Sequence, residues 1–354
     1  MNAFSSAAAR AHHAGVRFAA AATSALLACG IATGARAADA NATAACNRAC
    51  LSGIVDQVLA SMPRHDPDKL PLAGMYAATE NSHPAALGMM TAWRTITQAA
   101  KPALLAIDVQ RGSAYFALPV SEAGSQSALW GRIKVVDRKL TELEIFISRS
   151  RGDHGFSFSA EQMRPNFKKV MTLPLSRKKA SHDELEKIAR ASFDASDPTQ
   201  LDIAKDCQFT EVGTLVIDPG LDDVPPRAGG PDPEAPLGCM FPSFRPTDKK
   251  SRIIAVDDET GLVVVAAVVR GKVYPYPFKG HMVSAFIPDD MKEPQVAQDG
   301  WIQRKRKAGQ AALLAPAPAT GEVMQVLQEY DGKLQGEQIN VYVSGPGAQS
   351  AWVK

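Results

Sequence analysis

The sequence predicts an α+β chain made of two tandem units, each of about 100 residues. Three observations predict it. A motif recurs within the chain, an amphipathic helical stripe precedes each copy, and pairs of strand-like runs around short turns follow each copy.

The recurrence sets "HDPDKLPLAGMYAATEN" (65–81) over "SDPTQLDIAKDCQFTEV" (196–212). At a constant offset of 131, Asp66-Pro67 meets Asp197-Pro198, Leu70 meets Leu201, and Thr79-Glu80 meets Thr210-Glu211. Ahead of the first copy, Ile54, Val55, Val58, Leu59 and Met62 fall on one helical stripe; ahead of the second, Leu185, Ile188, Ala189 and Ser192 do the same. Each stripe runs into its D-P pair, and the residue before proline avoids helical backbone, so both helices stop there. Next, "LLAIDVQRGSAYFALPV" (104–120) resembles "IIAVDDETGLVVVAAVV" (253–269), now at an offset of 149, with Asp108 over Asp257 and Gly112 over Gly261. Each reads as strand, turn, strand. A last match pairs "VVDRKLTELEIFIS" (135–148) with "QEYDGKLQGEQINVYVS" (328–344).

Within 128–148, a turn at Asp137-Arg138-Lys139 sets Trp130 opposite Phe146, Arg132 opposite Glu144 and Lys134 opposite Glu142. Leu129, Ile133, Val135, Leu143, Ile145 and Ile147 take the other face. The polar face is expected to be solvated or partner-facing, with Glu142 and Glu144 in cross-strand ion pairs and Trp130–Phe146 as a docking patch. The growing offset means that the second copy carries insertions, one at about 218–238 and one at about 271–320, both read as loops or lids.

The first 37 residues carry Arg10, Arg17 and Arg36, no acid, an apolar run "FAAAATSALLACGIAT", and an A-x-A site ending at Ala37. That is the layout of a secretory signal peptide over 1–37, and it predicts a secreted or periplasmic protein. An alternative reads "LLAC" as a lipoprotein signal with Cys29 as the lipid anchor. The apolar run is too short for a lasting membrane span, so none is expected after processing. Cleavage takes three of the 39 basic residues and none of the 37 acidic ones, turning the net charge from +2 to −1. No nucleic-acid partner is therefore expected, and "RKRK" (304–307) reads as part of a solvated loop.

Four cysteines then remain: Cys46, Cys50, Cys207 and Cys239. In an oxidising compartment two structural disulfides are the default, with three connectivities open. No histidine or C-x-x-C spacing suits zinc, and no metal is expected. Shifted by 131, Cys50 falls on Ser181, which opens the S-x-x-E capping box "SHDE" of the second helix. A Cys46–Cys50 bridge would close the first helix start in its place. Residues four apart within an ideal helix hold their Cβ atoms about 5–6 Å apart, too far for a disulfide. The bridge therefore predicts a turn at Cys46, and leaves Cys207 to pair with Cys239 across the first insertion.

The order helix, D-P turn, strand, short helix and antiparallel strands, met twice, resembles the nuclear-transport-factor-2-like (SnoaL-like) superfamily. More closely, "CNRACLSGIVDQVLASMPRHDPDKLPLA", "TEN" and "IKVVDRKLTELEIFISR" resemble an exported bacterial and fungal family of unknown function with a C-x-x-x-C…H-D-P…T-E-N pattern. The resemblance covers about 44–150 closely and 181–354 more loosely, with 151–180 as linker. Where that family usually has glutamine after T-E-N-G, this chain has Ser82 and His83. The resemblance implies two cone-like domains, each a curved antiparallel sheet wrapped on helices around an apolar pocket.

No G-x-S-x-G, H-E-x-x-H, Walker A or strand-linked G-x-G-x-x-G occurs. In folds of the resembled class, chemistry is usually acid–base work in the cone by a buried titratable side chain. Glu80 beside His83 suits a general base held in one tautomer by a carboxylate, while Tyr76, Trp93 and Tyr115, absent from the second copy, would shape the pocket. The expected function is a cofactor-independent lyase, isomerase or hydratase acting on a small, partly apolar molecule. The alternative is a non-catalytic ligand-binding or envelope-associated protein, and a homo-oligomer stays open.

Overall fold

A computed structural model describes residues 46–149, 158–194, 196–218, 220–221, 235–242, 251–278, 281–309 and 315–352. Residues 1–37, read above as a signal peptide, Cys29 among them, and most of the 218–238 insertion lie outside the described residues. In the first half come α1 (Arg48–Ser61), β1 (Leu72–Glu80), β2 (His83–Pro84), α2 (Ala92–Thr95), β3 (Gln98–Ala99), β4 (Leu104–Asp108), β5 (Ser113–Glu122), β6 (Ser125–Val136) and β7 (Lys139–Ser148). The second half has α3 (Ala160–Met171), α4 (His182–Ala191), β8 (Asp202–Ile203), β9 (Phe209–Glu211), β10 (Thr214–Leu215) and β11 (Ser251–Asp257). It continues with β12 (Leu262–Phe278), β13 (His281–Pro288), α5 (Lys292–Lys307), β14 (Ala317–Tyr330) and β15 (Lys333–Ser344). The fold is α+β with two separate sheets.

Both sheets are wound in the same order. The first runs β2-β1-β7-β6-β5, with β4 on β5; the second runs β10-β9-β15-β14-β12-β11. In each, the strand ending in Thr-Glu lies parallel to the last strand: Glu80 is level with Ile145, and Glu211 with Ile339. The matched glycines make the same turn in both. Gly112 and Gly261 have positive φ, and a Cβ there would lie 2.6 Å from the Val135 carbonyl and 2.1 Å from that of Glu329. No side chain fits between those crossing backbones.

The helix stripes are buried as their periodicity predicts. Asn47 caps α1 by accepting from the Cys50 N–H, and Cys46, just outside the helix, bonds to Cys50. Ser181 and Glu184 form the capping box of α4. Cys207 bonds to Cys239. Both pairings match the expected connectivity, and they fit an oxidising, extracytoplasmic setting.

The β6–β7 register places Trp130, Arg132 and Lys134 opposite Phe146, Glu144 and Glu142. The turn, however, has two residues rather than three: Asp137 and Arg138 both take positive φ, and a register shift after Lys134 absorbs the extra residue. This is a tight hairpin turn that favours glycine at its second position. Arg138 is exposed. Arg138→Gly is expected to raise unfolding stability by about 1 kcal/mol, read as a higher denaturant midpoint at unchanged slope.

The polar face of that hairpin is not solvated. Trp130 and Phe146 stack 5.7 Å apart and are buried with Tyr115, Leu104 and Ala106 against Ile254, Leu262, Val264, Met324 and Val326 of the other sheet. The docking patch thus lies between the halves, with Met163 and Phe167 of α3 wedged into the same core. The stretch 151–180, expected as linker, supplies that helix. Glu144 is buried and takes hydrogen bonds from Arg132 on its own sheet and Arg252 on the other, at 2.6–2.7 Å. Arg132, not Lys134, also binds Glu142. The longer guanidinium fork reaches both carboxylates, whereas the Lys134 ammonium turns to the Arg111 carbonyl.

Beside this core the matched aspartates form a reciprocal clasp. Asp108 accepts the Val256 N–H and Asp257 accepts the Ile107 N–H, each at 2.9 Å, so each half caps an edge strand of the other. Arg48 of α1 makes two 2.8 Å bonds to Asp257, and Arg111 pairs with Asp108 and Glu186. Near the chain end, Trp352 donates to Thr79 and lies 4.4 Å from the Arg132 guanidinium.

The second insertion is not a loop. Residues 271–320 hold the extension of β12, all of β13, α5 and the start of β14, and "RKRK" closes α5, where cations suit the helix dipole. Proline and polar residues obscure this helix in the sequence, because its buried face is made by Gln295, Gln298, Trp301 and Ile302. Among the described residues no helix is long and apolar enough to cross a membrane.

Candidate functional site

A cavity of about 420 Å³ opens in the second half, within the usual size range of small-molecule pockets. One wall is the sheet face carrying Val323, Ile339 and Val341. The lining continues with Ala285, Phe286 and Ile287 of β13, a strand of the same sheet, and with Pro294, Ala297 and Gln298 of α5. The Gln295 amide donates to the carbonyls of Ile287 and Pro288 and thereby fixes the helix on β13.

A third wall is the segment 235–240, which bears Leu237 and Met240. The Cys207–Cys239 bond anchors it, together with hydrogen bonds from Phe209 to Leu237 and from Leu237 to Val216 at 2.9 and 2.8 Å. Asp218, Gly220, Met240, Pro294 and Ala297 are exposed and form the rim.

The lining is apolar apart from four side chains. Glu211 is buried at the end of β9. Tyr276 donates to Asp218 and to the Gly220 carbonyl, and burial, with Asp218 adding, pushes its phenol well above the ordinary tyrosine value. Gln298 is 4% exposed, and its amide oxygen is buried with no hydrogen-bond partner among the described residues. Leaving such an acceptor unpaired costs about 1–3 kcal/mol. No group of three or more His, Cys, Asp or Glu among the described residues is placed to hold a metal ion.

The equivalent face in the first half is filled. By register, Leu129, Ile145 and Ile147 stand where Val323, Ile339 and Val341 stand in the second sheet, and they share a buried core with Leu87, Met90, Trp93 and Ile96. Trp93 donates to the Ser61 hydroxyl at 2.9 Å inside that core.

The five residues singled out in the sequence are not brought to one cavity. Glu80 and His83 face each other across the β1–β2 turn, as their spacing implies. The Glu80 carboxylate, however, accepts from the Thr91 hydroxyl and the Ala92 N–H and so caps α2. His83 is exposed at the strand end and lies within electrostatic reach of Glu322 on the other sheet, a carboxyl that burial holds above its ordinary value. Tyr76 lines a separate groove beside Trp352. Tyr115 is buried between the sheets, where Asn340 donates to its hydroxyl and burial pushes its pKa up.

The cavity residues Gln298, Tyr276 and Asp218 belong to no repeated motif. The signal that points to them is the second copy's lack of a counterpart to Trp93, which leaves its sheet face without the first half's plug. Compared with known proteins, the chain matches no family model and no curated sequence.

Proposed function

We propose that the protein is an exported binding protein that holds a small, predominantly apolar molecule in the cavity of its second half. The observation that carries this reading is a cavity lined by Val216, Phe286, Ile287, Val323, Ile339 and Val341, apolar apart from Glu211, Asp218, Tyr276 and Gln298. Such a site offers apolar area for burial and a few polar side chains at its edge for orientation. The resemblance to SnoaL-like proteins supports the same reading, since it implies sheets curved around helices with an apolar pocket; the first sheet's face is covered by Leu87, Met90, Trp93 and Ile96, and the equivalent face of the second borders the cavity. The acid–base roles given to Glu80 and His83 draw no comparable support, because the Glu80 carboxylate is engaged in capping a helix away from the cavity.

The test is binding of a neutral, environment-sensitive dye such as Nile red to the oxidised chain. Ala297 is exposed on the rim, so Ala297→Trp narrows the mouth without disturbing the core. The variant is expected to bind the dye at least tenfold more weakly than the parent at unchanged melting temperature. Equal binding by both proteins would refute the proposal.

A further inference from the structure

We infer that a groove between the two halves is a binding site for a phosphoryl group, carried by a small phosphate monoester or by an anionic lipid. The groove holds about 560 Å³ and is lined by Arg111, Arg132, Lys134, Arg252 and Trp352, among others. It shares no lining residue with the cavity, so the inference is independent of the binding reading above.

The fold brings the four cations together. Arg132 and Lys134 stand two apart on β6 and share one of its faces. Along that face the chain passes from the wholly buried Trp130 to the buried Arg132 and then to the half-buried Lys134, so the inter-sheet core opens to the surface here. Arg252 comes from β11 of the second sheet and meets Arg132 over the shared Glu144 carboxylate. Arg111, just ahead of β5, is tied to Lys134 through its carbonyl.

The carboxylates nearby do not use up these donors. Glu144 and Asp108 are buried and do not line the groove, and Glu142 is its one lining carboxylate among the described residues. Arg132 gives Nε to Glu144 and Nη1 to Glu142, while Arg252 gives Nη2 to Glu144. That leaves the Arg132 Nη2 and the Arg252 Nη1 without a hydrogen-bond partner among the described residues. Neither is sealed from solvent, unlike the Arg252 Nε, which takes no part. Lys134 has no carboxylate of its own: Glu142, opposite it in register, pairs with Arg132, and the ammonium bonds only to a carbonyl. Two guanidinium groups and an ammonium arriving from two sheets suit a tetrahedral oxyanion, whose outer oxygens can each take a different donor. Ala77, Ile253, Ala351 and Trp352 add apolar surface for the body that carries the phosphate.

The probe is phenyl phosphate, titrated by calorimetry into the oxidised protein at low salt and pH 8, where a phosphate monoester is a dianion. Saturable binding is expected, with benzoate weaker and phenol not binding. Lys134→Gln removes the unmatched cation and is expected to weaken binding about tenfold, the loss of one charge-assisted hydrogen bond. Lys134→Arg is expected to retain most of the affinity, and Ala297→Trp, at the mouth of the other cavity, all of it. Co-sedimentation with phosphatidylcholine vesicles, with and without phosphatidic acid, separates the two sources. Binding to the phosphatidic acid vesicles that phenyl phosphate displaces assigns the groove to a lipid headgroup; vesicle binding that is absent or not displaced assigns it to a free monoester. The inference is overturned if phenyl phosphate shows no saturable binding, if benzoate binds as tightly, or if Lys134→Gln binds as well as the parent. Weakening by Ala297→Trp would place the anion in the cavity and overturn it too. Should Lys134→Gln fail to fold, judged by its melting curve, the ranking of the three compounds on the parent protein decides alone.

Discussion

Replacing Asp257 by alanine is expected to lower the free energy of unfolding by about 3–5 kcal/mol, the range for removing one partner of a buried, hydrogen-bonded ion pair. Asp257 is wholly buried and holds four groups at once: the Arg48 guanidinium through two bonds, the Ile107 N–H of the other half, and the N–H groups of Glu259 and Thr260 in its own turn. Alanine leaves a buried strand N–H without a partner and the Arg48 guanidinium with only the exposed Glu259 carboxylate, 3.1 Å away. Asp257→Asn, which keeps an acceptor for Ile107, is expected to cost less. Urea unfolding followed by tryptophan fluorescence measures both, since Trp130 lies in the adjoining inter-sheet core. A loss below about 1 kcal/mol for the alanine variant would mean that the clasp contributes no more than a surface ion pair.

The second large effect is expected at Cys207–Cys239. In the chain-entropy account a bond closing this separation of 32 residues stabilises by about 3–4 kcal/mol, against about 2 kcal/mol for Cys46–Cys50 with its separation of four. The paired serine variant Cys207→Ser/Cys239→Ser is therefore expected to lose more stability than Cys46→Ser/Cys50→Ser. It is also expected to weaken dye binding, because the bond anchors the wall that carries Leu237 and Met240. Cys46→Ser/Cys50→Ser, remote from the cavity in sequence and in fold, is expected to leave dye binding unchanged. Equal dye binding by the two paired variants would separate the disulfide from the cavity wall.

Much of the fold is legible in the sequence for local reasons. A helix stripe repeats every three or four residues and a strand face every two, so α1, α4 and the β6–β7 register follow from spacing alone. The repeat adds a longer-range signal, since Asp108 and Asp257 match in sequence and proved to be the two halves of one clasp. What spacing does not encode is which face meets which partner. Trp130, Arg132 and Glu144 read as an outer face because a mixed polar and aromatic row normally meets water. Here Arg252 arrives from the other sheet to neutralise Glu144. The cavity was less legible still. Its lining is drawn from residues 209 to 341 and crosses both insertions, and the buried side of α5 includes two glutamines, so no periodic apolar signal marks it.

The reciprocal clasp also bears on the order in which the chain reaches its final state. A chain leaves the ribosome or a translocation channel from its N-terminus, and the first half can pair its own strands before the second half appears. Until residue 257 emerges, the Arg48 guanidinium lacks its carboxylate and the Ile107 N–H its acceptor. The face bearing Trp130 and Phe146 likewise stays uncovered until β12 and β14 arrive. The first half is therefore sticky and incomplete for as long as it waits. The second half is what ends that exposure, so truncation before β11 should yield a chain prone to self-association rather than a smaller stable protein.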